Sequence, residues 1–212
     1  MNSYIIYDNQ TKKAIIIDLA LSVEKINDFL NAKDLEVTDV FFTHKHFDHT
    51  KGLEQLKNAT SARIWIGLDD KDGLFDMNKN GSFRHEQYRW QMPQDFNLHL
   101  FYIEKDKNNE ISLFDGKFTL KAFYTQGHTS GSVLYYAQDE RLLFVGDTAF
   151  IDKIGFRDTP NSGYDEQKYD NALKFIWNNF DKSTRVYPGH WKEGFELKEL
   201  ENNIEFMNVI NK

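Results

Sequence analysis

The chain contains no cysteine. That absence excludes disulfides, thiolate zinc sites, iron–sulfur clusters and a thiol nucleophile together. Proline is scarce, with 3 in 212 residues, and no Pro-, Gly- or Ser-rich stretch divides the chain. One domain over residues 1–212 is expected. A chain of this length can bury a full core unaided, because roughly 70% of its unfolded surface disappears on folding. Positive charge is also short: 26 Lys+Arg stand against 33 Asp+Glu, a net charge of −7. Counterion-driven binding to nucleic acid or anionic membrane needs a positive surface, so neither is an expected partner. No run of about 18 apolar residues occurs, so no span of a bilayer is expected. The opening MNSYIIYDNQTKK lacks the basic-then-apolar order of a secretory leader. The expectation is a cytoplasmic protein, monomer or homodimer, acting on a small molecule.

Periodicity supplies the elements. Ser3–Tyr7 and Ala14–Asp18, with the polar turn Asp8–Lys13 between them, read as a hairpin. Apolar residues at Val23, Ile26, Phe29 and Leu30 have helical spacing, with Ser22 as the N-cap. Val37–Phe42 and Ala62–Ile66 are strands, and Thr50–Ala59 a helix. Gly67–Asn97 is an irregular insertion with a helical candidate around Phe83–Trp90; unstructured stretches of this length are often functional. Strands resume at Leu98–Ile103, Glu110–Leu113, Lys117–Tyr124, Ser132–Ala137 and Arg141–Val145. An amphipathic helix spans Asp165–Phe180, a strand Thr184–Tyr187 and a closing helix Glu196–Ile210. Strand clusters separated by helices in both halves predict an α/β sandwich of two sheets covered by helices on their outer faces.

What the chain does have is histidine in the wrong distribution for chance. Of 7 histidines, three fall in His44-Lys45-His46-Phe47-Asp48-His49, just after a hydrophobic strand. An extended segment would point His44, His46 and Asp48 to one side, with His49 turning in behind them. Imidazole and carboxylate together suit Zn²⁺, and also Fe²⁺ or Mn²⁺. Three later strand ends each offer one more ligand beside a glycine: Gly127-His128, Gly146-Asp147 and Pro188-Gly189-His190. Strand-end loops are where a rigid scaffold presents ligands. Five histidines and two aspartates would suffice for two metals. His85 and His99 lack this context and read as structural or surface residues, His85 with a possible place in a pocket wall.

On these residues the sequence resembles the metallo-β-lactamase superfamily, and within it the short glyoxalase II-like proteins. The family's T-H-x-H-x-D-H-x-x-G stands as Thr43–Gly52, followed in order by Thr125–Ser132 (TQGHTSGS), Gly146-Asp147-Thr148 and Tyr187-Pro188-Gly189-His190. The resemblance covers about residues 2–195. It implies a four-layer αββα sandwich with a metal centre at one edge. His44, His46 and His128 would hold a first metal, Asp48, His49 and His190 a second, and Asp147 would bridge them. Asp18 would orient a ligand histidine. Phe150, Lys153 and Arg157 fall where the family often contacts substrate. Two departures stand out. Asp18-Leu19-Ala20 replaces a common Asp-Pro-Gly, and Gly155-Phe156-Arg157-Asp158-Thr159 is a stretched form of a compact Gly-Arg-Thr-Asp. About 22 residues follow His190, enough for one helix, so the resemblance is to the short, single-domain relatives and does not imply specificity for a glutathione thioester. The missing cysteines exclude the lactamase subclasses that use a Cys ligand.

The implied activity is hydrolysis of a thioester or ester of a small acid by hydroxide held between two divalent ions, zinc first, with iron or manganese as alternatives. Asp48 and Asp147 would be catalytic, Asp48 also taking a proton from the water. No nucleophile elbow or phosphate-binding loop offers another chemistry. The rivals are a mononuclear iron persulfide dioxygenase, a lactonase or phosphodiesterase on the same scaffold, and a metal-binding scaffold without catalysis.

Overall fold

The computed structural model describes residues 1–20, 22–56, 60–93, 98–107, 109–157 and 161–212. The chain opens with the hairpin β1 (Tyr4–Asp8) and β2 (Lys13–Ile17). Helix α1 (Glu24–Lys33) returns the chain to β3 (Glu36–Phe41), which pairs parallel with β2. The short α2 (Phe47–Thr50) leads through a 3₁₀ turn, Lys51–Gln55, to β4 (Arg63–Gly67). After the insertion, β5 (His99–Ile103) completes a five-stranded mixed sheet in the order β1-β2-β3-β4-β5. The second sheet, six-stranded and mixed, runs β11-β10-β9-β8-β7-β6. Its strands are β6 (Glu110–Leu113), β7 (Phe118–Tyr124), β8 (Val133–Ala137), β9 (Leu142–Gly146), β10 (Arg185–Pro188) and β11 (Phe195–Glu196), with α3 (Glu166–Asn179) between β9 and β10 and α4 (Ile204–Ile210) closing the chain.

Strand alternation explains the layering. In β2, Ala14 and Ile16 pack outward under α1 with Val23, Leu30 and Ile64. Ile15 and Ile17 point inward, to Phe41, Leu120, Val133, Tyr135 and Phe144. Side chains one residue apart thus enter different cores, which is why the AIII run is apolar without alternation. On the far side Leu134, Leu143 and Val145 pack beneath α3 and α4 through Tyr169, Leu173, Ile176 and Phe206. Helix, sheet, sheet and helix make the αββα sandwich that the sequence predicts.

Several expectations need correction. Ser22 is not the N-cap of α1: the helix begins after Val23 and no side chain caps it. The predicted helix over Thr50–Ala59 starts earlier, at Phe47, and becomes 3₁₀; residues 57–59 lie outside those described. The candidate helix at Phe83–Trp90 is only two 3₁₀ turns, Ser82–Arg84 and Glu86–Tyr88. Buried Asn80 explains this, because its amide donates to the carbonyls of Gly73 and Trp90 and folds the insertion onto itself. Other parts of the insertion form a 3₁₀ helix, Leu68–Phe75; residues 94–97 lie outside those described. The closing helix is split. Glu196 belongs to β11, Leu197–Asn202 is 3₁₀, and Asn203 accepts from the Phe206 N–H to start α4 anew. Among the described residues no helix is long and apolar enough to cross a membrane.

The end of β4 packs tightly against the loop that leads into β8. A Cβ on Gly67 would lie 1.9 Å from the Gly131 carbonyl oxygen, a backbone atom that cannot swing aside. Gly67→Ala should therefore destabilise the fold by about 1–3 kcal/mol through overpacking. A thermal melt should show a Tm lower by several degrees; an unchanged Tm would show that the loop before β8 yields freely here.

Candidate metal centre

Four loops bring the predicted ligands to one edge of the sandwich. The first follows β3, the second β7, the third β9 and the fourth β10. The delivery of Asp48 differs from the expected extended run. His46 is the last extended residue (φ −58°, ψ 142°), and Asp48 and His49 arrive on the turn of α2.

The ring nitrogens can be assigned from their hydrogen bonds. Asp18 stands in the left-handed region at φ 57°, held there by three donors. Its carboxylate accepts the Thr43 N–H (2.8 Å), the Thr43 hydroxyl (2.8 Å) and His49 Nδ1–H (2.8 Å). The Thr43 hydroxyl has given its proton to Asp18, so it accepts from His44 Nδ1–H at 3.0 Å. His128 Nδ1–H donates to the Phe156 carbonyl at 3.2 Å. His44 and His128 are therefore left with bare Nε2 lone pairs, while His49 turns its Nε2 toward Asp147 and Asp48. Those of His44 and His128 converge on His46 Nδ1, at 3.0 and 3.2 Å. Ligand atoms about 2.0–2.1 Å from a tetrahedral zinc stand roughly 3.3 Å apart, so the spacing suits a shared cation.

A second group lies beside the first. His190 Nε2 is 3.0 Å from Asp48 Oδ2, and His49 Nε2 is 3.8 Å from the same oxygen. Asp147 sits between the groups: Oδ1 is 3.3 Å from His49 Nε2, and Oδ2 is 3.5 Å from His190 Nε2 and 4.0 Å from His128 Nε2. His49 Nε2 and Asp147 Oδ1 are both buried and, despite their proximity, are not aligned as a hydrogen bond. Three overlapping sets have ligand atoms within 4.8 Å of one another: His44, His46 and His128; His44, His49 and Asp147; Asp48, His49 and His190. Orphaned buried atoms and convergent lone pairs are what a divalent cation would satisfy, and the residues fit one or two such ions.

The electrostatics divide the same way. Burial holds His44 and His128 below the usual imidazole range and His46 at about 3, helped in His44 and His46 by neighbouring rings; all three are neutral donors. Burial also penalises charge on His49, but Asp147, Asp18 and Asp48 outweigh it and push His49 well above its ordinary value. Burial would raise Asp48 and Asp147, yet His49 and the other rings hold both low. An imidazolium between carboxylates thus takes the place of a cation.

The centre opens into a chamber of about 410 Å³ walled by Phe47, His85, Phe150, Phe156 and Trp191. His85 packs against Phe47 with the rings tilted and 5.3 Å apart, whereas His99 is exposed on β5. Trp191 adopts φ 61°, a strained conformation for a bulky residue. Asn2 donates to its carbonyl, and Phe150 meets its ring edge-on at 4.6 Å. Of the expected substrate contacts, Phe150 lines the chamber. Arg157 also lines it, but its guanidinium is engaged by Asp170 (2.9 Å) and Glu166 (3.2 Å); Asp158 and Thr159 lie outside the described residues. Lys153 lies beyond Phe150, its ammonium 3.3 Å from the Trp191 ring centroid. Sequence reasoning missed Thr43, Trp191, and Lys45 with Asp70. Thr43 and Lys45 lie within a recognised motif and Trp191 just after one, whereas Asp70 lies in the insertion; only their hydrogen bonds reveal a role.

A two-sheet sandwich with His and Asp ligands gathered at one edge defines a metallohydrolase architecture. The chain belongs to the metallo-beta-lactamase superfamily, whose family model matches residues 2–190, and is a metal-dependent hydrolase. Among its relatives, the probable metallo-hydrolase YqgX of Bacillus subtilis is 30% identical, over 94% of this chain and 89% of its own. The probable polyketide biosynthesis zinc-dependent hydrolase BaeB of Bacillus velezensis is 28% identical, over 96% and 80%. The hydroxyacylglutathione hydrolase of Dictyostelium discoideum is 31% identical over 94% of this chain and 64% of its own. Among solved structures, the BLEG-1 B3 metallo-beta-lactamase superposes with a TM-score of 0.82 at 27% identity, over 97% and 93%.

Proposed function

We propose that the protein hydrolyses a thioester or ester of a small acid with two divalent metal ions, zinc first. The observation that carries this reading is Asp147, set between the three-imidazole group and the Asp48–His49–His190 group within 4.0 Å of each. His44, His46 and His128 would hold one ion, Asp48, His49 and His190 the other, and Asp147 both. Such ions supply Lewis acidity and a water acidic enough to lose its proton near neutral pH. The chain's own residues supply the rest. Asp48, kept ionised by His49 and His190, can accept a hydrogen bond from the water and orient it. Asp18 locks the His49 ring, and Phe150, Phe156 and Trp191 give the chamber an apolar wall. The thioester preference is supported by the hydroxyacylglutathione hydrolases among the relatives.

Metal analysis of untagged protein, followed by assays on thioesters, lactones, phosphodiesters and persulfides, tests this. Two metal equivalents and thioester hydrolysis that a chelator abolishes are expected. Metal-free protein, or full activity in chelator, would sink it; one iron with persulfide-dependent oxygen uptake would replace it with the dioxygenase reading.

Lys153 is the candidate contact for a carboxylate on the substrate. Among the described residues no carboxylate pairs with it, and it borders a trough of about 470 Å³ that shares Phe150, Phe156 and Trp191 with the chamber. A partly exposed ion pair is worth up to about 1 kcal/mol. Lys153→Ala should accordingly raise KM for a carboxylate-bearing thioester about fivefold, with kcat unchanged. Equal KM values in steady-state kinetics would remove Lys153 from the site.

A further inference from the structure

The insertion between β4 and β5 carries a carboxylate, Asp70, that nothing so far explains. It is fully buried, on the 3₁₀ helix Leu68–Phe75. Among the described residues its partners come from two places. Lys45, between His44 and His46, donates its backbone N–H to Oδ2 (3.0 Å) and sets its ammonium 3.1 Å from Oδ1. From the other loop, the three residues after His128 follow: Thr129 donates its hydroxyl to Oδ2 (2.6 Å), the Ser130 hydroxyl lies 2.9 Å from Oδ1, and Gly131 donates its N–H to Oδ1 (2.8 Å). Lys45 also reaches Ser130 Oγ at 2.8 Å.

We infer that Asp70 is a positioning residue for the three-imidazole group. The inference rests on the metal-centre reading above and extends it. Side chains alternate along an extended segment, so Lys45 leaves the face that carries His44 and His46 and meets Asp70 behind it. One carboxylate thereby fixes the peptide between two ligands and the turn after the third. It sets the approach of His128 to His46. It also neutralises a buried ammonium that would otherwise repel a cation at the neighbouring imidazoles. The packing leaves no slack: a Cβ on Gly131 would lie 2.6 Å from the Asp70 nitrogen, and one on Gly73 would lie 2.5 Å from the Lys45 Cβ. Asp70 has no such hold on Asp48, His49 or His190, so it should act on one group and not the other.

Zinc affinity, measured by competition with a chromogenic chelator, tests this, together with the visible spectrum of the cobalt(II)-loaded protein and the melt of the metal-free protein. Partners that orient metal ligands are worth about 10–100-fold in affinity. Asp70→Asn should weaken one of the two zinc equivalents by that factor, leave the other within about threefold and shift the cobalt bands. Thr129→Val, which removes one donor, should do the same more weakly and decides the matter if Asp70→Asn does not fold. Wild-type affinities and cobalt spectrum in a folded variant would overturn the inference. So would equal weakening of both equivalents, the mark of a merely structural residue. A wild-type protein that binds no zinc or cobalt would instead overturn the metal-centre reading beneath it.

Discussion

Asp147→Asn should lower hydrolysis by about 10³-fold. The substitution preserves shape, and asparagine fits beneath Gly189, whose added Cβ would lie 2.4 Å from Oδ1. What it removes is charge at the point where both ligand groups meet. Of the described carboxylates, Asp147 contacts His128 in one group and His49 and His190 in the other. An amide there offers one neutral oxygen, and its protons occupy a place where a lone pair is needed. Three decades in rate correspond to about 4 kcal/mol of transition-state stabilisation, within the several kcal/mol that a metal's Lewis acidity supplies. The measurement is kcat with metal content on the same sample. A variant that kept two metal equivalents and more than a tenth of the activity would show that Asp147 does not join the groups.

The same substitution has a pH signature in the metal-free protein. Native His49 titrates above its unfolded value of about 6.5 because the carboxylates outweigh its burial. Its contribution to stability is therefore fully present below that pH and is lost as pH rises through the native value. Asp147→Asn weakens that contribution. The metal-free variant should fall furthest behind the metal-free wild type near pH 6, and the gap should narrow in alkaline solution.

Removing the metals should lower Tm by about 8–16 °C for each ion. A ligand present at a thousand times its Kd stabilises the native state by about 4.1 kcal/mol. For a chain of this size, each kcal/mol moves Tm by roughly 2–4 °C. The fold should nevertheless survive. Asp18 clamps Thr43 and His49, Asp70 clamps the loops of Lys45 and Thr129, and neither set of bonds involves a metal. Calorimetry on chelator-treated and zinc-reconstituted protein measures the shift. An identical Tm in the two samples would mean that no ion binds the native state tightly; loss of a cooperative transition would mean that the ions, and not these carboxylates, hold the edge together.

The candidate centre was legible because its residues are chemically rare and locally clustered. Three histidines in six residues, and single ligands after strand ends, are visible without any coordinates. The sandwich was legible because apolar runs of four or five residues, repeated between amphipathic helices, leave few layered arrangements. Element ends were less so. Ser22 has the chemistry of an N-cap and does not serve as one. The Glu196–Ile210 pattern conceals the Asn203 break, whose cause is a side chain that caps α4 and donates to the Phe150 carbonyl across the chain.

Residue type and spacing alone determined which groups can bind a cation and that the chain folds as layered sheets. Tertiary structure alone decided the rest, because hydrogen bonds between distant segments have no sequence period. It turned Asp48 inward on a helical turn. It tied up Arg157 in ion pairs and, among the described residues, left Lys153 without a carboxylate. It buried Asp70, one of several aspartates in an irregular stretch, against Lys45 and Thr129, which lie 25 and 59 residues away. A carboxylate acquires such a role only when folding removes it from water and leaves those donors as its partners.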